Sequence, residues 1–135
     1  LFHVYGPDDN EQKFVPAIVR RCLAGESIDL TSGQQRRDFV YVDDVVEAIC
    51  LIVESRLSEG YHHFDVGSGE LTSIREFVEA INKTCGGQGT LNFGALEARV
   101  GEPEYSADTS RLRDVGWNPR TSLGEGLIRT VEFLR

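Results

Sequence analysis

The stretch from Gly33 to Asp44, Gly-Gln-Gln-Arg-Arg-Asp-Phe-Val-Tyr-Val-Asp-Asp, does most to narrow what this chain can fold into. It opens on a turn and two adjacent cations, runs through four apolar residues, and closes on two carboxylates. The aromatic and β-branched run Phe39-Val40-Tyr41-Val42 reads as a strand. Asp43 or Asp44 can accept the free amide hydrogens of a following helix, which begins the periodic set Val45, Val46, Ala48, Ile49. Arg37 carries a planar fork suited to a phosphate or carboxylate. A cation held at the start of a stiff strand is an anion grip on a fixed frame.

The flanking chain alternates short strands with helices, so the predicted class is α/β. Leu1 to Val4 reads as the end of a strand, broken at Tyr5-Gly6-Pro7. A helix is expected from about Gln12 to Leu23, with Phe14, Val15, Ile18, Val19, Cys22 and Leu23 on one stripe and Pro16 in its first turn. Ile28 to Leu30 is expected to pair with the strand at Phe39. The helix launched at Asp43 and Asp44 is expected to be well buried. Alternation at His62, Phe64 and Val66 predicts a strand ending at Gly67-Ser68-Gly69. Ser73 with Glu76 and Ser122 with Glu125 are capping boxes for two further helices. A short strand at Leu91–Phe93 and a short helix at Thr109–Val115 complete the set, with Trp117 and Pro119 packing a corner. The expectation is one α/β domain over residues 1–135, with short strands and about five helices.

A net charge of −8 with no offsetting basic stripe argues against nucleic acid as a partner. No apolar run is long enough to cross a membrane. Cys22, Cys50 and Cys85 lie in apolar helical patterns, which predicts buried reduced thiols in a cytoplasmic protein. The chain begins at Leu1 in mid-pattern, as a segment of a longer protein would.

For chemistry, Arg37 and Arg99 both sit beside turn residues and suit a diphosphate; as surface cations among many carboxylates they equally suit ion pairs. Asp43, Asp44 and Glu47 suggest a divalent metal less well than they suggest a helix start with a favourable dipole. His62 and His63, adjacent on a strand, point to opposite faces and cannot chelate together. Gly67-Ser68-Gly69 lacks the third glycine of a dinucleotide turn, since Thr72 stands there. None of Tyr5, Tyr41, Tyr61 or Tyr105 has a lysine four residues later, and no serine is paired with a base. No catalytic set is complete.

Taken in order, five motifs resemble a known family: Phe2-His3-Val4-Tyr5-Gly6-Pro7; Gly33 through Arg37-Asp38-Phe39-Val40-Tyr41-Val42-Asp43-Asp44; Asp65-Val66-Gly67-Ser68-Gly69-Glu70 with Thr72-Ser73-Ile74; Arg99-Val100-Gly101-Glu102; and Gly116-Trp117-Asn118-Pro119. The order and spacing are similar to the C-terminal, substrate-binding part of the extended short-chain dehydrogenase/reductases, the NAD-dependent nucleotide-sugar epimerases and 4,6-dehydratases. The resemblance implies an N-terminal Rossmann core elsewhere, carrying NAD and a Tyr-x-x-x-Lys pair that oxidises the sugar transiently at C4. It implies that NAD belongs to the full-length parent and not to this chain alone. By the same resemblance Arg37 and Arg99 contact the diphosphate, Glu102 binds the ribose hydroxyls, Phe39 is an aromatic near the substrate, and Phe14 lies on the helix beside the nucleotide. His3 stands where the family has a substrate-binding asparagine. The implied partner is a nucleotide-diphosphate sugar; separately, a sheet edge orphaned by the absent half could be covered by homo-oligomerisation. The alternative is a non-catalytic nucleotide- or protein-binding module derived from that family.

Overall fold

The computed structural model describes residues 1–98 and 101–135. At its centre β1 (His3–Tyr5) runs parallel to β4 (Phe39–Tyr41), pairing His3 with Phe39, Val4 with Val40 and Tyr5 with Tyr41. All three residues of β4 are buried. Strand alternation sends Phe39 and Tyr41 to one side and Val40 to the other. Phe39 and Tyr41 meet α1 (Phe14–Leu23), α3 (Ile74–Thr84) and α5 (Leu123–Leu134), whose inward residues include Val19, Phe77, Ile81 and Leu127. Val40 meets a second cluster with Val45 and Ala48 of α2 (Val42–Glu54), Val66, Leu112 and Trp117. A strand between two cores needs apolar residues on both faces, and for that reason the run at 39–42 is continuous rather than alternating.

The helices start and stop for local reasons. Ser73 Oγ accepts from Glu76 N at 3.1 Å while Ser73 N donates to Glu76 Oε2 at 2.9 Å. Ser122 and Glu125 make the same reciprocal pair at the head of α5. Pro16 lies in the first turn of α1, where no intrahelical amide bond is required. That helix begins at Phe14 rather than Gln12. The predicted short helix is α4 (Ser110–Asp114), and Trp117 beyond it is fully buried, donating from Nε1 to the Asp44 carbonyl at 3.0 Å.

Several expectations are corrected. The strand at Ile28, β2 (Ser27–Leu30), pairs in parallel with β6 (Thr90–Phe93), not with Phe39. Its buried residues Ile28 and Leu30 share a core cluster with Phe39 and Tyr41, so β2 reaches β4 through packed side chains while its backbone ladder goes to β6. No strand forms at His62–Val66 among the described residues; Val66 only accepts one backbone bond, from Phe2 N at 3.0 Å. Asp43 and Asp44 do not cap α2. The N-cap position is Tyr41, without a side-chain bond, and both aspartates lie inside the first turn. There Asp44 turns away to accept Arg120 N and Thr121 N, each at 3.1 Å. Nor is α2 buried all round: Val46, Ile49 and Val53 are 54%, 48% and 78% exposed. Cys50 on the same helix is exposed too, although Cys22 and Cys85 are buried as expected. One face of α2 closes the second core, and no described element covers the other. On α5, Ile128 is likewise exposed rather than inward.

Candidate functional site

Arg36 and Arg37 form the two-residue strand β3, antiparallel to β5 (Thr72–Ser73), with Arg37 opposite Thr72. The turn leading into it is stitched to the head of α3: Arg75 N donates to Gly33 O and Ile74 N to Gln35 O, both at 2.9 Å. Gly33 has φ +71°, and a Cβ there would lie 2.9 Å from Arg75 N, so glycine is required on both grounds. The cations therefore sit on a fixed ribbon rather than a free loop.

Asp38, next in sequence, is fully buried. Its carboxylate accepts four bonds: Ser68 N and Ser68 Oγ at 2.6 Å, Gly69 N at 2.9 Å and Ala107 N at 2.9 Å. A Cβ at Gly67 would fall 2.7 Å from Asp38 Oδ2. A buried carboxylate is tolerated only when its lone pairs are met, and here three backbone amides and a hydroxyl meet them. The result ties the start of β4 to the 67–69 turn and to residue 107, holding Arg37 and Phe39 on either side of the knot. Sequence reasoning quoted Asp38 within a motif but gave it no role, because its donors come from 30 and 69 residues away.

The Arg37 side chain is mostly covered, at 17% exposure. Its Nη1 donates to Arg36 O at 2.8 Å and its Nη2 is in an ion pair with the Glu102 carboxylate. Arg37, His3, Phe14 and Phe39 all line one cleft of about 450 Å³, together with Arg21, Asp29 and Gln35. Glu102 lines an adjoining hollow of about 270 Å³ with Thr31, Gln35 and Glu97, and Thr31 and Gln35 border both. Phe39 is stacked on Phe77 with ring centroids 3.7 Å apart, and the His3 ring lies 5.8 Å from it at a 60° tilt. Burial, then the Arg37 charge, push the His3 imidazole below its ordinary pKa, with Asp38 acting in the opposite sense. A neutral imidazole beside a guanidinium can both donate and accept a hydrogen bond.

Four of the six predicted site residues thus line one cleft, and a fifth, Glu102, lines the hollow beside it. The sixth, Arg99, lies outside the described residues, and with it the predicted convergence of two guanidinium groups. The metal alternative loses its ligands: Asp44 is engaged by two amides, Asp43 pairs with Arg129 at 3.7 Å, and Glu47 pairs with Arg120 at 3.2 Å. Among the described residues no group of three or more metal-ligating side chains forms. No helix among them is long and apolar enough to cross a membrane.

Known proteins share the sequence and fold of this chain. Residues 1–67 match the model of the NAD dependent epimerase/dehydratase family. The chain is 35% identical over 134 residues to a CDP-abequose synthase of Salmonella muenchen, covering 98% of this chain and 46% of that protein. It is 33% identical over 141 residues to GDP-L-fucose synthase 1 of Arabidopsis thaliana, covering 97% and 43%. The UDP-glucose 4-epimerase of Thermotoga maritima, solved with UDP-glucose, superposes with a TM-score of 0.85 at 30% identity over 98% of this chain and 43% of that one. MoeE5, solved with UDP-glucuronic acid and NAD, gives 0.84 at 32% identity, covering 98% and 44%. The chain spans less than half the length of the relatives it matches.

Proposed function

The chain belongs to the NAD-dependent epimerase/dehydratase family, and on that premise we propose that it is the C-terminal, substrate-binding domain of a nucleotide-sugar epimerase or 4,6-dehydratase, where it holds the diphosphate of the sugar nucleotide. The observation that carries this reading is Arg37: a guanidinium fixed on β3, already holding a carboxylate, at the edge of a cleft of nucleotide size. His3 adds a neutral hydrogen-bonding ring, while Phe39 and Phe14 supply flat apolar contact. Glu102 beside them offers acceptors for ribose hydroxyls, and Arg99 is assigned to the same diphosphate by the family resemblance. The similar proteins carry CDP, GDP or UDP in their names. What those share is the diphosphate, and that is the group the Arg37 cleft is suited to grip.

The Gly67-Ser68-Gly69 turn is not arranged as a dinucleotide cradle. Ser68 N and Gly69 N, the amides that a glycine-rich turn would turn toward a pyrophosphate, both donate to Asp38. By the family resemblance, NAD and the tyrosine–lysine pair are assigned to the remainder of a longer parent. This chain's part in the reaction is orientation and binding energy. A second reading, a module that binds a protein without catalysis, draws on the uncovered apolar face of α2.

Calorimetry with UDP-, CDP-, GDP- and dTDP-sugars tests the first reading. Binding of at least one is expected, and Arg37→Ala is expected to weaken it by about 1.5–3 kcal/mol, the scale of a hydrogen bond to a charged group. A folded chain that gives no heat with any of the four would overturn the proposal.

A further inference from the structure

Helix α2 is apolar on two sides. Val45 and Ala48 are buried against the second core, while Val46, Ile49, Cys50 and Val53 are exposed. Those four fall at i, i+3, i+4 and i+7, so at 3.6 residues per turn they form one stripe about 100° wide on the side away from the core. The other exposed residues of the helix, Asp43 and Glu54, stand at its two ends. The contrast with α3 is direct, because its exposed residues Glu76, Glu79 and Lys83 are all charged. A helix that meets water carries charge on its outer face; one that is apolar all round belongs to an interior.

The stripe is also held rigidly. Asp44 in the first turn of α2 accepts Arg120 N and Thr121 N, each at 3.1 Å, and its carbonyl accepts Trp117 Nε1 at 3.0 Å. The helix starts at Val42, directly after Tyr41 of β4, so the stripe is joined without a loop to the strand that carries Phe39.

Charge argues against a second copy as the cover. The helix holds four carboxylates, Asp43, Asp44, Glu47 and Glu54, and no cation. Two such helices laid stripe to stripe bring Asp43 to Glu54 when antiparallel, and each acid to its own counterpart when parallel, and both arrangements repel. The relatives, by contrast, match 98% of this chain while more than half of their own length lies outside the match. A part of that size needs an apolar surface to rest on, and the outer stripe of α2 is one that no described element covers.

We infer that this stripe is the seat of the other half of the longer parent, which lays the apolar face of a helix across Val46, Ile49, Cys50 and Val53. This rests on the reading of the chain as one domain of a longer protein, and not on what the Arg37 cleft binds.

Cys50 lies within the stripe and reports on it, since it is exposed whereas Cys22 and Cys85 are buried. N-ethylmaleimide labelling, read peptide by peptide by mass spectrometry, compares the 135-residue chain with the complete parent expressed from its whole reading frame. Cys50 is expected to react at least about tenfold more slowly in the parent, with Cys22 and Cys85 protected in both as the sign of an intact fold. Val53→Ser is expected to leave the labelling of the 135-residue chain unchanged and to speed Cys50 in the parent by about threefold or more. Equal Cys50 rates in the wild-type parent and chain would leave the stripe to a separate protein and overturn the inference alone; calorimetry with UDP, CDP and GDP on the same samples reads the Arg37 cleft independently. Cys50 protection in the 135-residue chain that rises with its concentration, with a dimer in sedimentation velocity, would give the stripe to a second copy and overturn the inference too. A reading frame with no further domain would overturn it together with the reading of the chain as part of a longer protein.

Discussion

Asp38 illustrates how one residue can set a site without touching what the site binds. Its carboxylate gathers donors from two distant loops, so truncation leaves one buried and two half-buried amide hydrogens without their acceptor. Asp38→Ala is expected to destabilise the fold by roughly 3 kcal/mol or more in chemical denaturation. A loss under about 1 kcal/mol would show that the loops hold themselves together. His3 offers a pH test. Its pKa in the fold lies below 6.5, so the unfolded chain takes up that proton first. Stability from this group is therefore intact above 6.5 and falls as pH drops through and below that value. His3→Gln is expected to flatten the stability profile over that window, and an imidazole titration followed by NMR should place the midpoint below 6.5. A midpoint above it would mean that Asp38, not burial and Arg37, dominates the ring's surroundings.

At the level of elements, what could be read from the sequence and what could not divide by distance along the chain. Both capping boxes were legible because donor and acceptor stand three residues apart. Ser73→Ala is expected to cost about 1 kcal/mol in thermal or chemical unfolding, and no measurable loss would contradict the cap. The anion-grip stretch was legible too, since two arginines before an apolar run and a helix start are all local. The partner of β2 was not. Ser27 pairs with Thr90 across a whole crossover, and nothing near Ile28 distinguishes Phe93 from Phe39 as a neighbour. The helix at Val42 was seen, yet its periodicity suggested burial on more faces than the molecule covers. Val45→Ala should cost about 1–2 kcal/mol, whereas Ile49→Ser on the open face should change stability by less than about 0.5 kcal/mol. Comparable losses at the two positions would show that α2 is covered on both sides in solution.

Across the whole molecule, a chain of net charge −8 presents a cationic fork at the edge of its main cleft and places a carboxylate on it. Long-range electrostatics therefore oppose anions in general, and short-range geometry at Arg37 admits particular ones. Five candidate residues drawn from positions 3, 14, 37, 39 and 102 come together because β1 lies on β4, α1 crosses beside them and the 101–105 segment folds back over β3. Pattern along the chain named Arg37 and the family resemblance named the other four; only the parallel β1–β4 register and the fold of residues 101–105 over β3, both long-range, put them side by side. The most direct measurement is an NMR titration of the isotope-labelled chain with a nucleoside diphosphate, following the Arg37 guanidinium Nε–H resonance. Saturable shifts at Arg37, accompanied by His3 and Phe39 and absent in Arg37→Ala, are the expected result. Saturable shifts at Ser68, Glu70 and Arg120, in the second hollow that Phe39 borders, with Arg37 and His3 unmoved, would contradict the assignment of the diphosphate to this cleft.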